Sequence, residues 1–236
     1  VAWAVGILVN CYMKPRVKLA ESTTADGGAM TLYEHDGQYC ISYAGQELMH
    51  SGANASEILL GEIGVERLEP DAEARVLIGG LGLGFTLRSV LENTGPKVTV
   101  ELVELLPGIV QWNRDYLQQL NGALLDDPRV EIHVTDVVGY VRKTERDRYD
   151  VVLLDVDNGP VAMVSETNAS LYSNSGLRWL RGSLKPEGRA VFWSAGPDLR
   201  FEDRLKRAGF RVTKVPAKVH AGAKRAAYLL YVANYA

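Results

Sequence analysis

The sequence predicts an α/β protein: a doubly wound, mostly parallel sheet with a terminal antiparallel strand, preceded by a small N-terminal antiparallel β-region. Three observations carry this reading. From residue 74 onward, short apolar runs alternate with amphipathic stretches, which is the pattern of repeated βα units. At the head of that alternation, ARVLIGGLGLGFTLR runs from an apolar stretch (Val76, Leu77, Ile78) through Gly79, Gly80, Gly82 and Gly84 into a helix-like segment. Between residues 16 and 51, by contrast, apolar and polar residues alternate one by one and are punctuated by turn pairs.

Taken in order, residues 16–51 give two or three short strands, with turns at Asp36-Gly37 and Ala44-Gly45-Gln46. Residues 53–68 are helical, with Ile58, Leu59, Ile63 and Leu68 spaced for one face. Strand 75–79 leads through the glycines into helix 85–92, and strand 97–103 into helix 107–120, whose proline suits a first turn. Strand 130–135 precedes helix 137–144. Strand 149–156 precedes a loop and helix 171–184, and strand 189–194 precedes helix 198–208. The last two strands, 211–219 and 225–232, are joined too tightly for a crossover and must be antiparallel. The chain divides into a β-region over 13–52 and an α/β domain over 53–236. Residues 1–12 read as an extension upstream of Met13. They are too short to span a bilayer, and Lys14 and Arg16 follow the apolar core where a signal peptide has its basic residues in front.

Composition excludes several classes of function. With 236 residues, 47% apolar, 23% charged and a net charge of −3, the chain has an ordinary globular make-up and no overall pull toward nucleic acid. Arg204, Lys206 and Arg207 belong to a solvated face. Cys11 and Cys40 make no disulfide framework, and no Cys/His spacing suggests zinc. We expect no metal, no nucleic-acid or membrane partner, and a reducing cytoplasm.

The glycine turn carries the chemistry. A strand, a tight turn and a helix start let the backbone approach a ligand and offer N–H groups to it. The dinucleotide pattern G-x-G-x-x-G fails, because its third glycine falls on Phe85 when counted from Gly80 and on Leu87 when counted from Gly82. What remains, G-x-G-x-G, suits a nucleoside with a short charged tail. Acids stand where the parallel strands end, which is where such sheets bind ligands. Glu104 comes twenty residues after Gly84, placed to accept from both ribose hydroxyls. Asp136 ends EIHVTD, where it could equally cap the next helix. Asp155 and Asp157 end VVLLDVD.

At this point the chain resembles the spermidine/spermine synthase family, within the Rossmann-like class I S-adenosylmethionine-dependent transferases. The matching pieces are Gly79–Arg88, VTVELVELLPGIV (98–110), DPRVEIHVTD (127–136), RYDVVLLDVDNGP (148–160) and LYSNSGLRWLRGSLKPEGR (171–189). The resemblance implies that Gly80, Gly82 and Gly84 approach the methionine-derived part of the cofactor. It implies that Glu104 and Leu105 hold the ribose, that Asp136 and Val137 read the adenine, and that Asp155 is the catalytic acid, with Asp157 beside it. The acceptor pocket is expected between the N-terminal sheet and the loop 156–172, with Glu57, Asp157, Asn158, Tyr172 and Trp193 as candidates; Glu57 reads equally as a surface charge and, if it faces the pocket, favours a cationic acceptor. The resemblance also implies a homodimer. Trp193 reads first as a core aromatic.

The chain departs from the family where its glycine motif carries an aspartate, since here the turn is Gly80-Leu81-Gly82-Leu83-Gly84. An acid there would hold the ammonium tail of decarboxylated S-adenosylmethionine, and its loss leaves N–H groups suited to the carboxylate of the intact cofactor. The expectation is therefore an S-adenosylmethionine-dependent methyltransferase acting on a small amine or amino acid. The alternatives are a polyamine aminopropyltransferase using the decarboxylated form, and a non-catalytic nucleoside-binding subunit.

Overall fold

The computed structural model describes residues 15–24, 27–156 and 168–235. Strands β1 (Val17–Thr23), β2 (Ala29–His35), β3 (Gln38–Tyr43) and β4 (Gln46–His50) form an antiparallel sheet in that order. Its two tight hairpins turn through Asp36-Gly37 and Ala44-Gly45, with φ of 51, 77, 48 and 82°. Positive φ at both central positions is the twist that matches the strands being joined. Where two or three strands are expected, the structure has four. The additional one is β1, an edge strand with β2 as its partner and residues half-buried or exposed along its whole length, so its alternation is weak.

Helix α1 (Ala55–Val65) leads into the second, seven-stranded sheet. Its elements run β5 (Arg75–Gly79), α2 (Phe85–Glu92), β6 (Thr99–Glu104), α3 (Pro107–Asp115), α4 (Gln118–Asn121), β7 (Val130–Val134) and α5 (Val137–Lys143). They continue with β8 (Tyr149–Leu154), α6 (Asn168–Leu171), α7 (Asn174–Ser183), β9 (Leu184–Ser194), α8 (Leu199–Arg207), β10 (Phe210–Ala217) and β11 (Tyr228–Tyr235). The spatial order is β10-β11-β9-β8-β5-β6-β7. β11 runs antiparallel to both β9 and β10, so the strand that comes last in sequence lies inside the sheet.

Successive residues of the central strands feed opposite layers. Val76 and Ile78 pack with α1, α2 and α3, while Leu77, Val152 and Leu154 pack with α5, α7 and α8. Two expected helices are shorter than the pattern predicts, each for a local reason. After Asp115 the N–H groups of Tyr116 and Leu117 both turn onto the Trp112 carbonyl, and the chain bends back so that Asn121 Nδ2 donates to the Leu83 carbonyl of the glycine turn. Farther on, Ser173 caps α7 by accepting from the Gly176 N–H at 3.1 Å, separating it from α6. Among the described residues, no helix is long and apolar enough to cross a membrane.

The strand order reverses beside β5, which has β6 on one side and β8 on the other. The crevice beyond the carboxyl ends of β5 and β8 is therefore the place where this topology binds a ligand.

Candidate active site

The glycine turn closes that crevice from below. Gly80 has φ +91°, and a Cβ there would stand 2.6 Å from the Asp155 carbonyl oxygen. Gly82 has φ +51°, and its Cβ would meet Met49 Sδ at 2.9 Å. A side chain at Gly80 would push the turn away from the end of β8, and one at Gly82 would displace the Met49 side chain that reaches over it from β4. Three N–H groups of the turn are already in use: Gly80 donates to the Val103 carbonyl (2.9 Å), Leu81 to Glu104 Oε2 (2.8 Å) and Gly84 to the Leu81 carbonyl (2.8 Å).

Two adjoining cavities open here. The smaller, about 70 Å³, is walled by Glu104, Leu105, Asp136, Val137, Ile109 and Val156. The larger, about 260 Å³, is walled by Glu47, His50, Glu57, Leu81, Leu83, Phe85, Trp193 and Tyr228. Leu48, Met49, Gly80, Gly82 and Asp155 line both, so Asp155 stands at their junction. Glu47, Glu57, Glu104, Asp136 and Asp155 all face this space, and among the described residues no lysine or arginine lines either cavity.

Each carboxylate is placed by its own element. Glu104, the last residue of β6, is 7% exposed and accepts from the Leu81 N–H on one oxygen and the Leu106 N–H on the other, both at 2.8 Å. Bonds to both oxygens fix the plane of the carboxylate at the wall of the smaller cavity. Asp136 is the N-cap of α5, accepting from the Val138 N–H (3.2 Å) and Gly139 N–H (3.1 Å), while it also lines the smaller cavity. Both alternatives open in the sequence are compatible with that position. Asp155 follows β8, and its N–H donates to the Gly79 carbonyl at 3.1 Å. Glu57 sits in the first turn of α1. Burial pushes its carboxyl above the usual range, against its own N–H and a 3.0 Å bond from Ser56 Oγ that favour the charge.

Other residues singled out in the sequence lie elsewhere. Gly84, at φ +89°, starts α2 and faces Asn113 and Asn121 away from both cavities. Tyr172 is buried between Phe192 and Phe201, with its hydroxyl donating to the Val156 carbonyl at 3.2 Å. Asp157 and Asn158 lie outside the described residues, as do residues 1–12. Trp193 is half-buried and lines the larger cavity, with its ring 4.8 Å from that of Tyr228. Sequence reasoning missed Glu47, Leu48, Met49, His50 and Tyr228. The four on β4 belong to a recognised strand, but nothing local says that this strand lies over the glycine turn.

Comparison with known proteins gives this geometry a family. The spermine/spermidine synthase domain model matches residues 48–202, which hold β4, the glycine turn, Glu104, Asp136 and Asp155. The chain belongs to the spermine/spermidine synthase family. It is 30% identical over 128 residues to a polyamine aminopropyltransferase of Prochlorococcus marinus, covering 54% of this chain and 43% of that one. It is 36% identical over 126 residues to polyamine aminopropyltransferase 1 of Streptomyces coelicolor, covering 52% and 23%. The matched stretch thus spans less than half of either relative. The spermidine synthase of Thermotoga maritima superposes with a TM-score of 0.70 at 20% identity, covering 93% of this chain and 72% of that one, which establishes the shared fold.

These findings correct the expectation of methyl transfer from intact S-adenosylmethionine, because the relatives carry aminopropyltransferase names. The physical reason lies in the turn. Three of the turn's N–H groups, those of Gly80, Leu81 and Gly84, are bonded within the protein, and the missing aspartate says little about cavities that draw carboxylates from five other elements.

Proposed function

We propose that this spermine/spermidine synthase family member is a polyamine aminopropyltransferase, moving an aminopropyl group from decarboxylated S-adenosylmethionine to an amine. The observation that carries the reading is electrostatic. Five carboxylates and no lysine or arginine line the two cavities among the described residues. A donor with a sulfonium, an ammonium and no carboxylate fits such walls, and so does a cationic acceptor. The intact cofactor would bring a carboxylate into a field of like charge.

The residues fit the donor's nucleoside part as well. Gly80 and Gly82 leave room for close backbone approach, the Glu104 carboxylate lines the smaller cavity where a ribose diol would donate to it, and Ile109, Leu105 and Val137 offer apolar walls to a purine beside Asp136. When bound, the sulfonium supplies an electrophilic carbon and departs as a neutral thioether. An alkylamine has a pKa near 10 by analogy with lysine and arrives protonated at neutral pH. Asp155, at the junction of the cavities, holds that nitrogen and accepts its proton as it becomes a nucleophile. Leu48 and Met49 of β4 cover both cavities and keep water from the reacting atoms.

The test is thermal stabilisation by each cofactor form, followed by chromatography for 5′-methylthioadenosine and the extended amine. A ligand at about a hundred times its dissociation constant adds roughly 2.7 kcal/mol. The decarboxylated form should stabilise more and turn over with an amine. Stronger stabilisation by intact S-adenosylmethionine overturns the proposal.

A further inference from the structure

Asp155 and Glu57 divide the site unequally. Asp155 lines both cavities, whereas Glu57 lines only the larger. Leu81, Leu83 and Phe85 wall the same larger cavity as Asp155 and Glu57, and they suit methylene groups and offer no charge. Trp193 and Tyr228, with ring centroids 4.8 Å apart, line the same space, and aromatic faces attract an alkylammonium. The other titratable groups there are Glu47 and His50 on β4. Glu47 is exposed and accepts from Cys40 Sγ at 3.3 Å, and His50 Nδ1 accepts from the Gly52 N–H at 3.0 Å. Glu57 is half-buried, its side chain bonded by the neighbouring Ser56 hydroxyl, with no lysine or arginine within salt-bridge distance among the described residues.

We propose that Glu57 determines acceptor specificity: its carboxylate holds the far ammonium of a flexible α,ω-diamine while the near nitrogen sits at Asp155. This rests on the aminopropyltransferase reading and assigns one end of the acceptor to one residue. A partly desolvated carboxylate binds an ammonium more strongly than a surface carboxylate does, and a monoamine of equal length leaves that charge unanswered. Selection therefore comes from the cost of leaving Glu57 without a cation when the wrong amine is bound.

The experiment compares 1,4-diaminobutane with n-butylamine in the wild type, Glu57→Gln and Glu57→Asp. One arm measures kcat/KM for aminopropyl transfer, and the other measures calorimetric binding to the chain saturated with 5′-methylthioadenosine. Wild type should prefer the diamine in both arms, and Glu57→Gln should reduce that preference by about 10- to 100-fold, the worth of one charge-assisted hydrogen bond. Glu57→Asp, shorter by one methylene, should shift the preferred acceptor toward 1,5-diaminopentane. A diamine-to-monoamine ratio unchanged in Glu57→Gln overturns the assignment, and so does an unshifted chain-length preference in Glu57→Asp. Failure of the reaction itself is separable: a chain that transfers nothing to any amine refutes the aminopropyltransferase reading, while the binding arm still reports on Glu57.

Discussion

Replacing Glu101 with glutamine should cost more stability than any other single change of similar size in the described part of the chain. Glu101, on β6, is completely buried. Its Oε1 accepts from Arg148 Nε (3.1 Å), from the other Arg148 nitrogen (2.5 Å) and from Arg75 (3.2 Å), while Oε2 accepts from the Tyr140 (2.8 Å) and Tyr149 (2.5 Å) hydroxyls. One carboxylate thus ties the starts of β5 and β8 to α5. A glutamine keeps the shape, removes the charge and presents an NH2 where a hydroxyl donates. Breaking a buried pair from one side costs about 3–5 kcal/mol. The two arginines are 45% and 32% exposed and can rehydrate, which places the loss near the lower bound. Tyr149 is fully buried, and its orphaned hydroxyl alone costs about 1–3 kcal/mol.

We therefore expect a loss of about 3 kcal/mol, or a fall in Tm of roughly 6–12 °C for a domain of this size. Urea and thermal melts measure it, and a cycle with Tyr149→Phe should show coupling above about 0.5 kcal/mol. The pH dependence has a fixed sign. Burial alone raises the Glu101 carboxyl, but hydrogen bonds from Arg148, Tyr149 and Tyr140 outweigh it and hold the group below its ordinary value. A depressed carboxyl stabilises the fold above its unfolded pKa, about 4.3, and loses that contribution as pH falls through the folded value. The gap between wild type and Glu101→Gln should stay constant from neutral pH to about 5 and close below about 4. A loss under about 1 kcal/mol, or a gap that widens on acidification, refutes the reasoning.

Three further outcomes are expected. Asp155→Asn should lower kcat by about 10²–10⁴ while changing the calorimetric Kd for 5′-methylthioadenosine by less than about tenfold, and equal losses in both would make Asp155 a binding residue only. Gly80→Ala should be doubly unfavourable, since it places a Cβ 2.6 Å from the Asp155 carbonyl at φ +91°. A stability loss of about 1–3 kcal/mol or more and a rate loss near 10²-fold should follow, and melting with single-turnover kinetics checks both. Asp136→Ser keeps an α5 cap and removes the carboxylate, whereas Asp136→Ala removes both and should cost about 1 kcal/mol more stability. If Asp136 reads the purine, both variants weaken nucleoside binding alike, and if it serves only as a cap, the alanine variant alone does.

The fold was legible because its signals are local. A glycine turn after Val76–Ile78, proline at the start of α3 and alternation along β2 and β3 each act within a few residues, and β5 and α2 fall where the pattern puts them. The failures came where a distant partner decides. α3 ends early because residues around Asn113 and Asn121 turn to brace the carbonyls of Gly82 and Leu83. Strand β1 pairs on one edge and has little alternation to show. In the site, Glu104, Asp136 and Asp155 were visible as acids at strand ends. Glu47, Met49 and Tyr228 were not, because their places over the glycine turn depend on how β4 and β11 come to rest on the crevice.

That distinction also explains why the acid-free turn Gly80–Gly84 misleads. A substitution inside a motif is a local event, whereas a ligand responds to the summed field of every group around it, strengthened where water is thin. Here Leu83 is buried at the wall of a cavity that Glu57 enters from α1, Glu47 from β4 and Asp155 from the end of β8. The turn can lose its acid while the site remains anionic, because the carboxylates come from elements far apart in sequence. What changes is where the charge sits. The turn itself carries no acid, while α1, β4 and the end of β8 bring Glu57, Glu47 and Asp155 to the wall of the larger cavity, so a cationic ligand there would answer to the helix and strands rather than to the turn.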